Sequence, residues 1–261
     1  MKLGACVGRG KTADVFEWGR AEVVKLFHDR SEAAREAKNA EVIDTLGVRA
    51  PKCSGLIEAE GRLGIRYERV NGMSLLRHME GTRESMIQSA KIMAEVQFEL
   101  HGVKVWHLAN LKTDFYRRVR QSGHLSEWQK EQVLAILDAL PEGHALCHYD
   151  LHPDNILLTG DGPVVIDWMN VLTGHPAADV ARTSMMLQSH AVPPDAPNWL
   201  VDRELRLLLH RQYVDEYAAL SGIGPEEFER WKVPTLAVRL DELADGERDE
   251  IRKLLEDALP A

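Results

Sequence analysis

The sequence predicts an α+β fold in two lobes. Residues 1–70 form a small β-rich lobe, and residues 71–261 a larger, mainly helical one. Short β-branched and aromatic runs separated by turns dominate up to Gly72. Apolar residues at three- and four-residue spacings dominate after it. A chain of 261 residues, 44% hydrophobic and 28% charged, has room for a sizeable core.

Element by element, Leu3 to Val7 is extended and leads into the turn Gly8-Arg9-Gly10-Lys11-Thr12. Val15 to Trp18 and Val23 to Phe27 are strands on their β-branched and aromatic content. Asp29 or Ser31 can cap a helix running to about Leu46, where Gly47 stops it. Pro51 to Ile57 and Arg62 to Val70 add two strands around the turn Glu60-Gly61. Beyond Gly72, Arg83 to His101 carries Met86, Ala90, Met93 and Leu100 on one helical stripe. Leu125 to Leu140 is a second helix, stopped by Pro141. Ile156 to Leu158 and Val164 to Ile166 read as a tight hairpin about Thr159-Gly160-Asp161-Gly162. Ala177 to Leu187 is apolar enough to be buried. Pro193 to Pro197 is a rigid connection, and Trp199 to Leu220 and Pro225 to Leu259 are amphipathic.

A net charge of −9 argues against a nucleic acid or an anionic membrane as the main partner. There is no apolar run of 18 residues, and the first residues lack the apolar core of a secretory signal, so a cytoplasmic protein is expected. Cys6, Cys53 and Cys147 have no zinc-site or CxxC spacing and are expected to be reduced and mostly buried.

The chemistry concentrates in His148-Tyr149-Asp150-Leu151-His152-Pro153-Asp154-Asn155 and Val164-Val165-Ile166-Asp167-Trp168. Phosphoryl transfer needs a carboxylate to orient a hydroxyl and accept its proton, and Asp150 fits that role. Asn155 and Asp167 offer hard oxygen donors suited to Mg²⁺. The predicted hairpin would bring the two together at one end. Taken alone, Asp150 could be a turn cap and Asp167 a strand-end residue.

Gly8 and Gly10 could present backbone N–H groups to phosphates, although a Gly-rich hairpin turn needs no ligand. Lys25 lies inside an apolar strand, where an unpaired lysine is not expected. Glu36, which shares a helical stripe with Ala40 and Ile43, is its expected partner; Glu32 is expected to complement the helix dipole.

These residues carry a family resemblance. His148-x-Asp150-x-His152-Pro153-x-Asn155, Ile166-Asp167-Trp168, Gly174-x-Pro176-x-x-Asp179, and Val24-Lys25-Leu26 with Arg35-Glu36-Ala37 resemble the aminoglycoside phosphotransferase and choline kinase-like small-molecule kinases over about residues 4 to 187. The resemblance implies a bilobal protein-kinase-like fold with ATP or GTP in an interlobe cleft. It implies that Asp150 is the base, that Asn155 and Asp167 bind Mg²⁺, and that Lys25, paired with Glu36, holds the α/β-phosphates. Gly8, Gly10 and Val15 would cover the nucleotide, and backbone groups of Glu68 and Val70 would hold its base.

Trp168-Met169 stands where protein kinases have Phe-Gly, and only 12 residues separate Asp167 from Asp179. That leaves no room for a long regulated activation segment, so a small-molecule hydroxyl acceptor is expected. Residues 195–261 hold 16 acidic and 9 basic side chains. Asp195, Asp202, Asp215 and Glu216 could therefore meet a cationic acceptor such as an aminoglycoside, against the alternative of solvated helix faces. Trp199, Tyr213, Tyr217 and Trp231 could wall a ligand or lie in the core. Two other functions remain open: a catalytically weak nucleotide-binding regulator of the same fold, and a metal-dependent hydrolase using His148, Asp150 and His152. Asp179 is expected to hold the Asp150 loop through hydrogen bonds.

Overall fold

The computed structural model describes residues 2–190, 196–243 and 245–259. The chain divides into two compact units, residues 1–78 with 153–171 and residues 79–152 with 172–261.

In the first unit, β1 (Cys6–Arg9), β2 (Ala13–Trp18), β3 (Glu22–Phe27), β4 (Cys53–Ala59) and β5 (Arg62–Glu68) make an antiparallel sheet in the order β1-β2-β3-β5-β4. One face of the sheet packs Ala13, Phe27 and Ile65 against Ala33 and Ala37 of α1 (Arg30–Ile43). The other buries Trp18, Val24 and Leu26. Asp29 caps α1, accepting from the Ser31 N–H at 2.6 Å, which contributes about 1 kcal/mol. The helix ends at Ile43, short of the expected Leu46. Turn hydrogen bonds carry the chain on to Gly47, which takes the left-handed backbone (φ 69°) that a residue with a Cβ resists. After β6 (Met73–Ser74) comes the single turn α2 (Leu75–His78).

The second unit continues with α3 (Arg83–Gly102), α4 (Leu111–Gln121), α5 (Glu127–Asp138) and β7 (Ala145–Cys147). In α4 only Leu111, Phe115 and Val119 are buried, one residue per turn, a stripe too thin to stand out in the sequence. A capping box between Ser126 and Gln129 starts α5. The chain then returns to the first unit as the hairpin β8 (Ile156–Thr159) and β9 (Gly162–Val165), with β6 pairing onto β8. Thr159 Oγ1 spans the turn, donating to the Gly162 carbonyl at 2.8 Å.

Back in the second unit, β10 (Leu172–Gly174) pairs with β7, and α6 (Pro176–Gln188) follows with most of its residues buried. Helix α7 (Arg203–Ser221) packs along α3. The amphipathic stretch from Pro225 to Leu259 folds as α8 (Pro225–Arg230), α9 (Lys232–Arg239) and α10 (Asp245–Ala258). Pro234 forces a first turn where it sits, since its missing N–H is tolerated only there. Pro193, Pro194 and Asp195 of the predicted connection lie outside the described residues. Of the cysteines only Cys147 is buried; Cys6 is exposed, because β1 is a sheet edge with little covering it. Among the described residues no helix is long and apolar enough to cross a membrane.

Candidate active site

In the first unit, strand register pairs Gly8 with Val15, Val15 with Lys25 and Lys25 with Ile65. These residues therefore form one row on one face of the sheet. Lys25 is a cation in an apolar layer, and two carboxylates answer it. Its Nζ donates to Glu36 Oε2 at 2.7 Å and to Asp167 Oδ1 at 2.8 Å. Burial pulls the Lys25 ammonium down, but the charges of Asp167 and Glu36 outweigh it and hold its pKa above the ordinary lysine value. Glu36 is only 1% exposed, and its second oxygen accepts from the Tyr67 hydroxyl at 2.9 Å. That anchor was not legible beforehand, because a tyrosine in a strand is first of all a strand former.

The β8–β9 hairpin sets Asn155 against Ile166, whose N–H donates to the Asn155 carbonyl at 3.0 Å. Asp167 follows in the left-handed region (φ 63°, ψ 69°), a conformation that aspartate tolerates better than most residues. From α1, Asn39 Nδ2 donates to the Trp168 carbonyl at 3.2 Å and the Met169 carbonyl at 3.1 Å, fixing the turn that aims Asp167. An amide oxygen and a carboxylate oxygen at one hairpin end are hard donors of the kind that could hold Mg²⁺ together with phosphate and water. In the β1–β2 turn, the Gly10 N–H is already committed to the Ala13 carbonyl at 2.9 Å. The Glu68 N–H is likewise committed to the Lys52 carbonyl at 2.8 Å.

In the second unit, the loop after β7 holds His148, Tyr149 and Asp150. Tyr149 is also left-handed (φ 61°), which is strained for a bulky residue. Asp179 compensates, accepting from the Tyr149 N–H at 2.7 Å and the His148 N–H at 3.0 Å. Its Oδ2 also lies 3.0 Å from His101 Nε2. Burial would raise the Asp179 carboxyl, but His101 and the other hydrogen bonds carry it below the usual carboxylate range. The backbone N–H of Asp150 donates to His148 Nδ1 at 3.3 Å. His148 is fully buried and serves the loop. Among the described residues, His148, Asp150 and His152 do not gather as metal ligands.

Arg182 of α6 is a charged residue that the sequence reading missed. It is 1% exposed, donates to Glu242 Oε2 at 2.6 Å, and stands 4.0 Å from Asp150 Oδ1. The available signal was a lone arginine inside the apolar run Ala177 to Leu187, the same clue that singled out Lys25. Of the possible ligand-wall aromatics, Tyr213, Tyr217 and Trp231 are core, at 1% exposure or less. Asp202 is the cap of α7, accepting from the Glu204 and Leu205 N–H groups. Asp215 is exposed and Glu216 half-buried.

A model of the phosphotransferase enzyme family matches residues 10–223. The chain belongs to the phosphotransferase enzyme family. The resemblance in its motifs is thereby borne out, as is the expectation of a phosphotransferase. No curated protein matches the chain. Solved aminoglycoside phosphotransferases share its protein-kinase-like fold. A thermostable mutant of APH(4)-Ia, in a ternary complex with ADP and hygromycin B, has a TM-score of 0.67 at 14% identity, covering 98% of this chain and 92% of that one. Aminoglycoside-3'-phosphotransferase of type VIII gives 0.60 at 20% identity, covering 91% and 93%. The GDP complex of wild-type aminoglycoside 2'-phosphotransferase-IIIa gives 0.59 at 16% identity, covering 99% and 92%.

Proposed function

We propose that this phosphotransferase is a cytoplasmic small-molecule kinase that moves the γ-phosphate of ATP or GTP to a hydroxyl of its acceptor, with an amino sugar or another cationic metabolite favoured. The observation that carries the proposal is Lys25 held between Glu36 and Asp167, 2.7 and 2.8 Å away. Structural stability alone does not explain a lysine recruited between two carboxylates in an apolar layer, since well-packed apolar residues would serve as well. A lysine that contacts phosphates does explain it, because phosphate oxygens can replace the Asp167 contact and free that carboxylate for a cation.

In this reading residues 1–70 are the nucleotide-binding lobe and residues 71–261 the catalytic and acceptor-binding lobe. Gly8 and Val15 cover the phosphates together with the turn N–H groups other than that of Gly10. Lys25 holds the α/β-phosphates, oriented by Glu36. Glu68 offers its carbonyl to the nucleobase, its N–H being spent on Lys52, and Val70 offers its N–H. Asn155 and Asp167 would hold Mg²⁺, which would neutralise charge on the phosphates. Asp150 orients the acceptor hydroxyl and takes its proton as the O–P bond forms and nucleoside diphosphate leaves.

The test is nucleotide consumption with ATP and GTP, in Mg²⁺, across aminoglycosides, choline, homoserine, neutral sugars, macrolides and cyclic peptides. Turnover with a cationic acceptor, yielding its phosphomonoester, is the expected result. Turnover confined to neutral acceptors would overturn the cationic preference, and no phosphorylated product from any acceptor would overturn the kinase assignment.

A further inference from the structure

The environment of Asp150 contains more charge than holding a loop requires. Glu242 stands at the centre of three arginines. Arg118 Nη2 donates to its Oε1 at 2.6 Å, Arg182 Nη2 to its Oε2 at 2.6 Å, and Arg239 Nη1 to its Oε2 at 2.8 Å. Asp114 Oδ2 also stands 3.8 Å from Arg118 Nη1, so three guanidinium groups face two carboxylates and the cluster keeps a positive charge beside Asp150. Arg182 is the member that reaches Asp150, at 4.0 Å from Oδ1. Its guanidinium carbon lies 5.2 Å from the Tyr149 ring centroid, so the residue before Asp150 also packs on it. Its Nε and Nη1 make no hydrogen bond among the described residues. Burying a guanidinium with two unused nitrogens is unfavourable. A purely structural role would be met by an apolar side chain on the apolar face of α6.

We infer that Arg182 is a positioning residue for Asp150: its buried charge, fixed by Glu242, holds the Asp150 carboxylate in the orientation from which it meets the acceptor hydroxyl. The inference rests on Asp150 being the base, as proposed above. It extends that role to α6 and to Glu242 on the segment before α10. The sequence spacing is consistent with this division of labour. Asp179 and Arg182 are one helical turn apart on α6, so one helix fixes both the backbone of the loop and its carboxylate.

The experiment is a double-mutant cycle with the full chain. Turnover is read as nucleoside diphosphate release from MgATP and from MgGTP, with hygromycin B as acceptor probe and with water alone. Arg182→Gln should fold, because Glu242 keeps Arg118 and Arg239. It should lower kcat roughly 10- to 100-fold, the effect of a small misplacement of a reacting group, with the KM for nucleotide unchanged. Arg182→Lys, which keeps the charge, should recover much of the loss. In an Asp150→Asn background, Arg182→Gln should lower turnover no further. Equal losses in both backgrounds, or unchanged kcat in Arg182→Gln, would overturn the inference. If Arg182→Gln does not fold, Arg182→Met, which fills the same buried space without charge, takes its place, and a kcat unchanged from the parent would overturn the inference as well. Undiminished turnover in Asp150→Asn alone would instead overturn the base assignment beneath it.

Discussion

Replacing Asp179 by asparagine probes the loop that presents Asp150. The carboxylate accepts two backbone N–H bonds, from His148 and Tyr149, and faces His101, with no exposure to solvent. Asparagine retains one acceptor oxygen and turns an NH₂ toward groups that themselves donate, so at least one buried N–H loses its partner. A lost charge-assisted bond is worth about 1.5–3 kcal/mol, and an orphaned buried donor costs about 1–3 kcal/mol more. Together these give about 2.5–6 kcal/mol, a large part of the roughly 5–15 kcal/mol by which domains are stable. At about 2–4 °C per kcal/mol for a unit of this size, the melting temperature should drop by about 10 °C. Tyr149 should also relax from its left-handed backbone, so turnover should fall well below the parent's even where the variant is fully folded. Thermal melting by circular dichroism and turnover at 15 °C check both. A variant that melts within 1 °C of the parent and turns over normally would refute the argument.

Three further perturbations separate chemistry from stability. Lys25→Met should cut kcat/KM roughly 10²- to 10³-fold by removing the cation proposed to hold the phosphates, with Asp167 left less constrained; steady-state kinetics checks it. The charges of Arg182, Arg118 and Arg239 outweigh burial and lower the Glu242 pKa to about 2, so its contribution is complete above the unfolded pKa of about 4.5 and is lost as pH falls toward 2. Glu242→Gln should thus be less stable than the parent by up to about 3 kcal/mol at pH 7, with the gap closing in acid denaturation curves below about pH 4. Gly143→Ala should destabilise by about 1–3 kcal/mol in urea, because its Cβ would overlap the Gly174 carbonyl oxygen.

Much of this was legible in the residues themselves, for identifiable reasons. Lys25 and Glu36 could be paired in advance because strand and helix periodicities are local, and a cation in an apolar strand demands a partner. The hairpin that joins Asn155 to Ile166 was readable from its turn glycines. Other features depend on long-range partners that no local pattern specifies. Asp167 as the second carboxylate on Lys25 is 142 residues distant, and Arg182 with Glu242 is 60. Helix α4 was missed because three apolar residues among charged ones are a weak signal. The aromatic residues of α7 were ambiguous because a stripe at helical spacing looks the same whether it faces a ligand or α3.

The central claim is that Asp150 activates an acceptor hydroxyl for attack on a γ-phosphate. The most direct measurement follows ³²P from γ-labelled ATP or GTP into an isolated acceptor, comparing the parent with Asp150→Asn. The account predicts a labelled phosphomonoester from the parent and a rate at least ~10²-fold lower from the variant, with nucleotide affinity retained. Equal rates of labelling by the two proteins would contradict it.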